Sequence, residues 1–404
     1  MHLQVLNDQT FAIMVLMAVF TTFITTPLVT AVYKPARKGR ADYKHRTIWR
    51  KSANSQLRIL ACFHGARNIP SLINLIEASR GIQKRDDLCV YAMHLKELSE
   101  RSSSILMVHK ARRNGLPFWN KGHSHSNHVV VAFEAYRQLG KVSIRPMTAI
   151  SSMANIHEDI CATAERKEAA VIILPFHKHQ GLDGSLNITR NDFRSVNKRV
   201  LEHAPCSVGI FVDRGLGGTS HVSASNVSYH VTVLFFGGGD DREALAYGGR
   251  MAEHPGIKLV VIRFVVEPMN EGEISRVDMG DSSGTKVISQ DEQFLDEFKV
   301  KTANDDSIIY EERIVKDAAE TVAIIHEFNS SSLFLVGSRP VSEVALALKS
   351  SECPELGPVG GLLASQDYLT TASVLVLHQY NNGTPINFTS DMEEHLPDTD
   401  SGSA

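Results

Sequence analysis

AAVIILPFHKHQGLDGSLNITRNDFRSVNKRVLEHAPCSVGIFVD (Ala169–Asp213) holds the fold in miniature. It opens on an unbroken apolar run, Ala169–Phe176, whose length and branched residues predict a strand buried on both faces. A polar loop follows, then helical periodicity over Asp192–His203, then a second apolar run, Cys206–Asp213. Strand, helix and strand in that order predict parallel neighbours, because a parallel pair needs a long crossover and an antiparallel pair only a turn.

The alternation extends both ways from this stretch. Upstream, Leu57–His64 reads as a strand, followed by a helix through Ile69, Leu72, Ile73, Leu75 and Ile76. Asp87–Leu95 and Val142–Ile150 are further strands, and His128–Leu139 and Asn155–Glu168 further helices. Lys96–Asn127 is polar and irregular and reads as an inserted loop. Downstream, Gly215–Ser228 is rich in Gly, Ser and Thr and reads as a linker. The order then restarts. Strands are predicted over His230–Phe236, Ile257–Val266, Ile308–Val315, Ser332–Gly337 and Ser373–His378. Helices are predicted over Asp241–Glu253, near Asp291–Val300, over Asp317–Phe328 and within Val341–Asp367, with Glu267–Gln290 as an acidic loop. An internal repeat of about 150–170 residues follows, and the fold class is α/β: two tandem doubly wound parallel-sheet domains. Their bounds are 52–214 and 229–380, joined by the linker at 215–228, and the acidic tail 381–404 is expected to be disordered.

Gln9–Tyr33 carries no formal charge and is dominated by apolar side chains. About 20 such residues in a helix cover roughly 30 Å of hydrocarbon, so residues 1–38 are expected to hold one transmembrane helix and its basic flank. That flank is Lys34, Arg37, Lys38, Arg40, Lys44, Arg46, Arg50 and Lys51, opposed only by Asp42. By the positive-inside rule it stays in the cytoplasm, which makes everything after Lys34 cytosolic. A cleavable signal peptide would place its charge ahead of a shorter apolar core.

Of the 404 residues, 43% are apolar, enough for real cores, and 22% are charged. The net charge of -3, with basic residues gathered beside the apolar span, excludes a general nucleic-acid binder. Five cysteines stand far apart without a C-x-x-C pair, which suits reduced, buried thiols in a cytosolic body.

A doubly wound sheet binds ligands beyond the carboxyl ends of its strands, at the switch point. In the first domain that place is the loop after Phe176. It contains Gly181-x-x-Gly184, nine residues, then Arg194-Ser195. Universal stress proteins that bind ATP use G-x-x-G, nine residues, then G-[S/T] at this point. Glycines matter there because a bare backbone lets phosphate approach the amides of a helix start. With Arg194 in place of the third glycine, the loop reads as a degenerate site, ATP being the nucleotide its pattern suggests; no other cofactor is expected. In the second domain, Asp240 and Asp241 after Gly237–Gly239 read as helix caps. His177 and His179 flank Lys178 and are candidates for sensing pH, since imidazole titrates between about pH 5 and 8. No metal site is expected. His123, His125 and His128 cluster, as do His177 and His179, but no cysteine accompanies either group. His157-Glu158-Asp159-Ile160-Cys161 starts like a zincin helix and then puts Cys where the second ligand must be. No G-x-S-x-G, Walker or kinase signature is present, so an enzyme is not expected.

Several long strings resemble the plant cation/proton exchangers of the monovalent cation:proton antiporter-2 group. TTPLVTAVYKPARK (Thr25–Lys38) is similar to the end of their last membrane helix. RPMTAISSMANIHEDIC (Arg145–Cys161), ILPFHKHQ (Ile173–Gln180), NKRVLEHAPCSVGIFVDRGLGG (Asn197–Gly218), FFGGGDDREALAYGGRMAEHPG (Phe235–Gly256) and LGPVGGLLAS (Leu356–Ser365) resemble their cytosolic region. The resemblance implies K+ or Na+ exchange for protons in an endomembrane or the plasma membrane, pH and potassium homeostasis, and a regulatory cytosolic tail. It also leaves a homodimer open, as antiporters of this kind often pair. Exchange through lipid needs an ionisable group inside the membrane. Gln9–Tyr33 has none. The expectation is therefore the last helix and cytosolic half of such an antiporter, without its transport core. A membrane-anchored, nucleotide-binding stress protein acting alone is the alternative.

Overall fold

The computed structural model describes residues 8–32, 46–49, 56–81, 88–98, 133, 142–181, 186–188, 191–216, 229–267, 282–348, 353–365, 368 and 370–381. Most of the basic flank, the 99–127 insertion, the 217–228 linker, Gly184 and the 382–404 tail lie outside the described residues. The chain divides into two units, residues 1–44 and 45–404.

The first unit contains helix α1, Asp8–Val32. Its threonines return their hydroxyls to the backbone: Thr21 Oγ1 donates to Met17 O at 2.9 Å and Thr22 Oγ1 to Ala18 O at 2.7 Å. Such bonds hide polar atoms against the helix, which is what an apolar surround requires. Side chains 9–25 are all exposed, Phe23 at 81%. Among the described residues no helix is long and apolar enough to cross a membrane. The described side chains of α1 end at Thr25, so the span expected over Gln9–Tyr33 rests on the sequence.

The second unit is built on one ten-stranded sheet. Its first half holds β1 (Leu57–Phe63), α2 (Ile69–Ala78), β2 (Leu88–Glu97), β3 (Ser143–Ser151), α3 (Ile156–Lys167) and β4 (Val171–Pro175). A short hairpin of β5 (Lys178–Gln180) and β6 (Leu186–Ile188) then precedes α4 (Asn191–His203) and β7 (Ser207–Val212). The second half holds β8 (Tyr229–Phe235), α5 (Gly239–Ala252), β9 (Ile257–Val266), α6 (Ser282–Thr302) and β10 (Ile308–Val315). It ends with α7 (Ala318–Glu327), β11 (Leu333–Gly337), α8 (Glu343–Ala347), a 3-10 turn at Pro354–Leu356, α9 (Gly357–Leu363) and β12 (Ser373–His378).

The strand order is β10-β9-β8-β11-β12-β7-β4-β1-β2-β3. All neighbours are parallel except β12 and β7, which run antiparallel with Leu375 opposite Phe211 and Leu377 opposite Gly209. Each half repeats one order, third-second-first-fourth-fifth, so each is doubly wound with its switch point between its first and fourth strands. The halves expected in tandem thus share a single sheet, joined through their last strands. Composition tracks position across it. The central strands SVGIFV, VIILP and SVLVLH are buried at every residue, whereas outer β10 carries exposed Glu312 between half-buried Glu311 and Arg313. Charge at an edge discourages a further strand from pairing there.

Two local departures from the sequence reading have physical reasons. Helix α6 begins at Ser282, nine residues before the expected start at Asp291. Its Ser/Gly opening has loop-like composition, but extending an existing helix costs far less than nucleating one. Phe294, Leu295 and Phe298 supply the anchor, all buried. The polar loop after β4 also forms the β5–β6 hairpin, too short to leave a period in the sequence.

At the joint, Leu375 is fully buried, and a Cβ placed on Gly209 would lie 3.0 Å from its Cδ1. Leu375→Ala is expected to lower the unfolding free energy by about 2–5 kcal/mol, the cost of a core cavity. Urea denaturation of the chain in mild detergent measures this. Because the joint couples both halves, the loss should appear as one shifted transition; two separate transitions would show the halves unfolding independently.

Candidate functional site

The first switch-point loop leaves β4 at Pro175, whose carbonyl accepts from buried Asn197 Nδ2 on α4 at 2.9 Å. The next polar side chain, His177, is buried and turned toward the other half. Its Nδ1 lies 3.1 Å from Glu355 Oε1, in the 3-10 turn before α9. The two atoms are close but not aligned as a hydrogen bond, and neither has another hydrogen-bond partner. Arg194 Nε stands 3.7 Å from the same oxygen. Burial pushes the Glu355 carboxyl up, while His177 and Arg194 outweigh it and hold the group below the usual range. Cys353 completes the group: its sulfur, His177 nitrogen and Glu355 oxygen all lie within 4.8 Å of one another.

Of the residues singled out in the sequence, the structure therefore gathers His177 and Arg194 on one carboxylate. His179 sits in the β5–β6 hairpin opposite Asn187, Gly181 directly follows β5, and Ser195 is exposed on α4. Gly184 lies outside the described residues. Glu355 and Cys353 carry no signal in the sequence, being some 160–180 positions from His177 in a different half of the repeat.

The second switch point is filled by the protein's own acids. Gly237 and Gly238 adopt φ of +101° and +107°, which glycine alone takes without strain, and Gly238 is the N-cap of α5. Asp240 and Asp241 therefore lie inside the first turn and are not the caps expected from the sequence. They reach across to the next loop instead. Asp241 accepts from Phe236 N at 2.7 Å and Gly337 N at 2.9 Å, and burial pushes its carboxyl up to about 8. Asp240 accepts from Arg339 Nε at 2.9 Å, Arg339 Nη2 at 3.0 Å and Gln379 N at 2.8 Å. Backbone amides that elsewhere in this fold class face an anion are here bonded to internal carboxylates.

A third arrangement lies where the chain enters the body. Glu243 on α5 is fully buried. Its Oε1 accepts from Ile48 N at 2.5 Å and Ser207 Oγ at 2.6 Å, while Oε2 has a 3.5 Å contact with Trp49 N. Ser207 N in turn donates to Arg46 O at 2.8 Å, and Arg46 Nη1 to Tyr380 OH at 2.6 Å. Residues 46–49 thus form a strap over the starts of β7 and α5, with Trp49 edge-on to Phe294 at 5.5 Å. The strap walls a cavity of about 310 Å³ lined also by Leu245, Phe294 and Phe298. Burial pushes Glu243 up to about 7, against the lowering effect of Ser207, Ile48 and Trp49, and nearby Asp240 adds to the rise. An acid inside a helix's apolar stripe was the one trace of this site in the sequence.

Comparison with known proteins matches residues 90–216 to the family described as plant cation/H(+) antiporter domain, and residues 228–378 to plant cation/H(+) antiporter, C-terminal domain. Cation/H(+) antiporter 18 of Arabidopsis thaliana is 62% identical over 95% of this chain and 48% of its own length. Cation/H(+) antiporter 17 of the same plant is 53% identical over 97% of this chain and 51% of its own. The chain spans about half the length of the curated relatives it matches. Among solved structures, a universal stress protein from Archaeoglobus fulgidus aligns with 80% of this chain and 96% of its own at 13% identity, with a TM-score of 0.42. With both halves of its sheet matched and its relatives this similar, the chain belongs to the plant cation/H(+) antiporter family.

Proposed function

We propose that this chain is the C-terminal regulatory portion of a monovalent cation (K+ or Na+)/proton antiporter, held at a membrane by Gln9–Tyr33 with the residues after 34 in the cytosol. Its role in this reading is to bias transport carried out by membrane helices of the family's other half, in the service of pH and cation homeostasis, and it is not enzymatic. The observation that carries the reading is the strap. Residues 46–49, within the basic flank that follows the apolar helix in sequence, are pinned by one buried carboxyl, Glu243.

The bonding pattern suits a neutral closed form. Oε1 takes both short donations, leaving Oε2 as the hydroxyl, with only its long contact to Trp49 N. Release of the strap would return Glu243 to water and to an ordinary value near 4.5, against about 7 when closed. The sign follows from linkage. The closed form binds the extra proton, so closure is favoured below pH 4.5 and loses stability as pH rises through the window to 7. Across that window the released fraction rises by up to roughly 100-fold. The groups facing Glu243 are Ser207 and the strap amides as donors, with Asp240 as the neighbouring charge.

Trp49 reports the strap directly once the chain's other tryptophan is removed by Trp119→Phe. Its fluorescence is expected to titrate between pH 5 and 8, and Glu243→Gln to flatten the curve, since the amide keeps an acceptor for Ile48 N but cannot ionise. A titration unchanged by Glu243→Gln would remove Glu243 as the switch.

The regulatory reading itself is tested by grafting this chain in place of the corresponding C-terminal part of Arabidopsis cation/H(+) antiporter 18. Glu243→Gln is expected to shift the pH dependence of cation/proton exchange in vesicles while the maximal rate stays within about twofold. Identical pH profiles for the two chimaeras would overturn it, as would proton flux driven by the isolated chain.

A further inference from the structure

His177, Cys353 and Glu355 converge from both halves of the sheet, His177 from the loop after β4 and the other two from the segment between β11 and β12. All three are buried, at 2%, 5% and 4% exposure. His177 Nδ1 and Glu355 Oε1 face each other at 3.1 Å without a hydrogen bond to each other or to anything else. A buried polar atom left without a hydrogen bond is destabilising, so the apposition favours a group that satisfies both at once. Both atoms are lone-pair donors, and a cation between them does this.

We propose that His177, Cys353 and Glu355 form a site for a zinc-class divalent ion, with three protein ligands and a fourth position open to water. The donor set selects the ion. Imidazole, thiolate and carboxylate together suit Zn2+ and its neighbours, whereas Mg2+ and Ca2+ demand shells of oxygen. Bond lengths of about 2.0 Å to N and O and 2.3 Å to S put tetrahedral ligands roughly 3.3–3.7 Å apart. The observed spread of up to 4.8 Å closes on that value with side-chain movement of about 1 Å. The frame is already built. His378 Nε2 donates to Glu355 O at 2.9 Å, and Gly357, at φ +66°, seats the turn against the Ser338 carbonyl where a Cβ would collide. Arg194 is 45% exposed in its side chain and can swing to solvent when a cation takes the carboxylate. Because the ligands come from both halves, the ion clamps them together, and three ligands make that clamp exchangeable. The site stands apart from Glu243 and its strap.

Co2+ is the probe, added to the full chain in detergent under reducing conditions. One equivalent is expected to produce intense tetrahedral visible bands and a thiolate-to-cobalt charge-transfer band, displaced by Zn2+. Cys353→Ser should abolish the charge-transfer band. Glu355→Gln should keep it and weaken both Co2+ and Zn2+ binding at least tenfold. Near-UV circular dichroism of the metal-free variants checks their folding, and His177→Asn gives a second reading of the loss should Cys353→Ser not fold. A wild-type chain without the charge-transfer band would overturn the site. Retention of the band in Cys353→Ser would too, as would Zn2+ binding lost only on replacing His123, His125 and His128.

Discussion

The antiparallel pairing of β7 with β12 is the contact from which the rest of the body takes its arrangement. Each half would otherwise end in an exposed strand of largely apolar sequence, SVGIFV or SVLVLH, an aggregation hazard in any single doubly wound sheet. Pairing the two last strands buries both and turns two repeats into one ten-stranded layer. It also sets the carboxyl ends of the two halves at opposite ends of that layer, because β7 and β12 run antiparallel. Gly209 lets the strands approach closely, since a side chain there would press on Leu375 and Leu377. Everything described at the seam follows from that pairing: Ser207 at the head of β7 meets Glu243, and Cys353 and Glu355 meet His177.

At the second switch point the chain places buried acids where doubly wound folds place ligands. Asp240 and Asp241 engage Arg339 and the amides of Phe236, Gly337 and Gln379, so the second switch point is satisfied internally. Asp240, held by the Arg339 guanidinium and Gln379 N, supplies in place the negative charge an anion would have brought. Such a site is rigid. Glu243 differs because its donors belong partly to the strap and can leave. A buried acid whose partners can depart is a two-state element, biased by pH through its own proton.

The strap belongs to the second unit and comes early in it. Arg46 is the part of the basic flank that the structure describes, and it is bonded to Tyr380 and Pro205 near the other end of the body. The first described residues after the apolar helix and the last strand of the repeat therefore meet at one place. Glu243 bonds the same strap at Ile48 and the head of β7 at Ser207.

The sequence by itself determined the repeated strand-and-helix order, the α/β class, the apolar helix and the family. Each of these is written in local periodicity or in long matching strings: AAVIILPF is a buried strand wherever it is placed. Local pattern also located the first switch-point loop and named His177 and Arg194 within it. It did not give their shared partner, Glu355. Asp240 and Asp241 looked like caps because a helix start is legible over a few residues, while their partners Gly337 and Arg339 lie nearly a hundred residues on. The early start of α6 was hidden for the opposite reason, since a Gly/Ser stretch says loop until a helix beyond it propagates backward. Metal chemistry was set aside because no cysteine stands near His177 in the chain, yet Cys353 stands within 4.8 Å of it in space. Only the tertiary structure decided which strands the two halves share, and with them every contact at the seam. Side-chain periodicity tells a strand which faces to bury, but its edges pair through backbone groups that are the same in every residue.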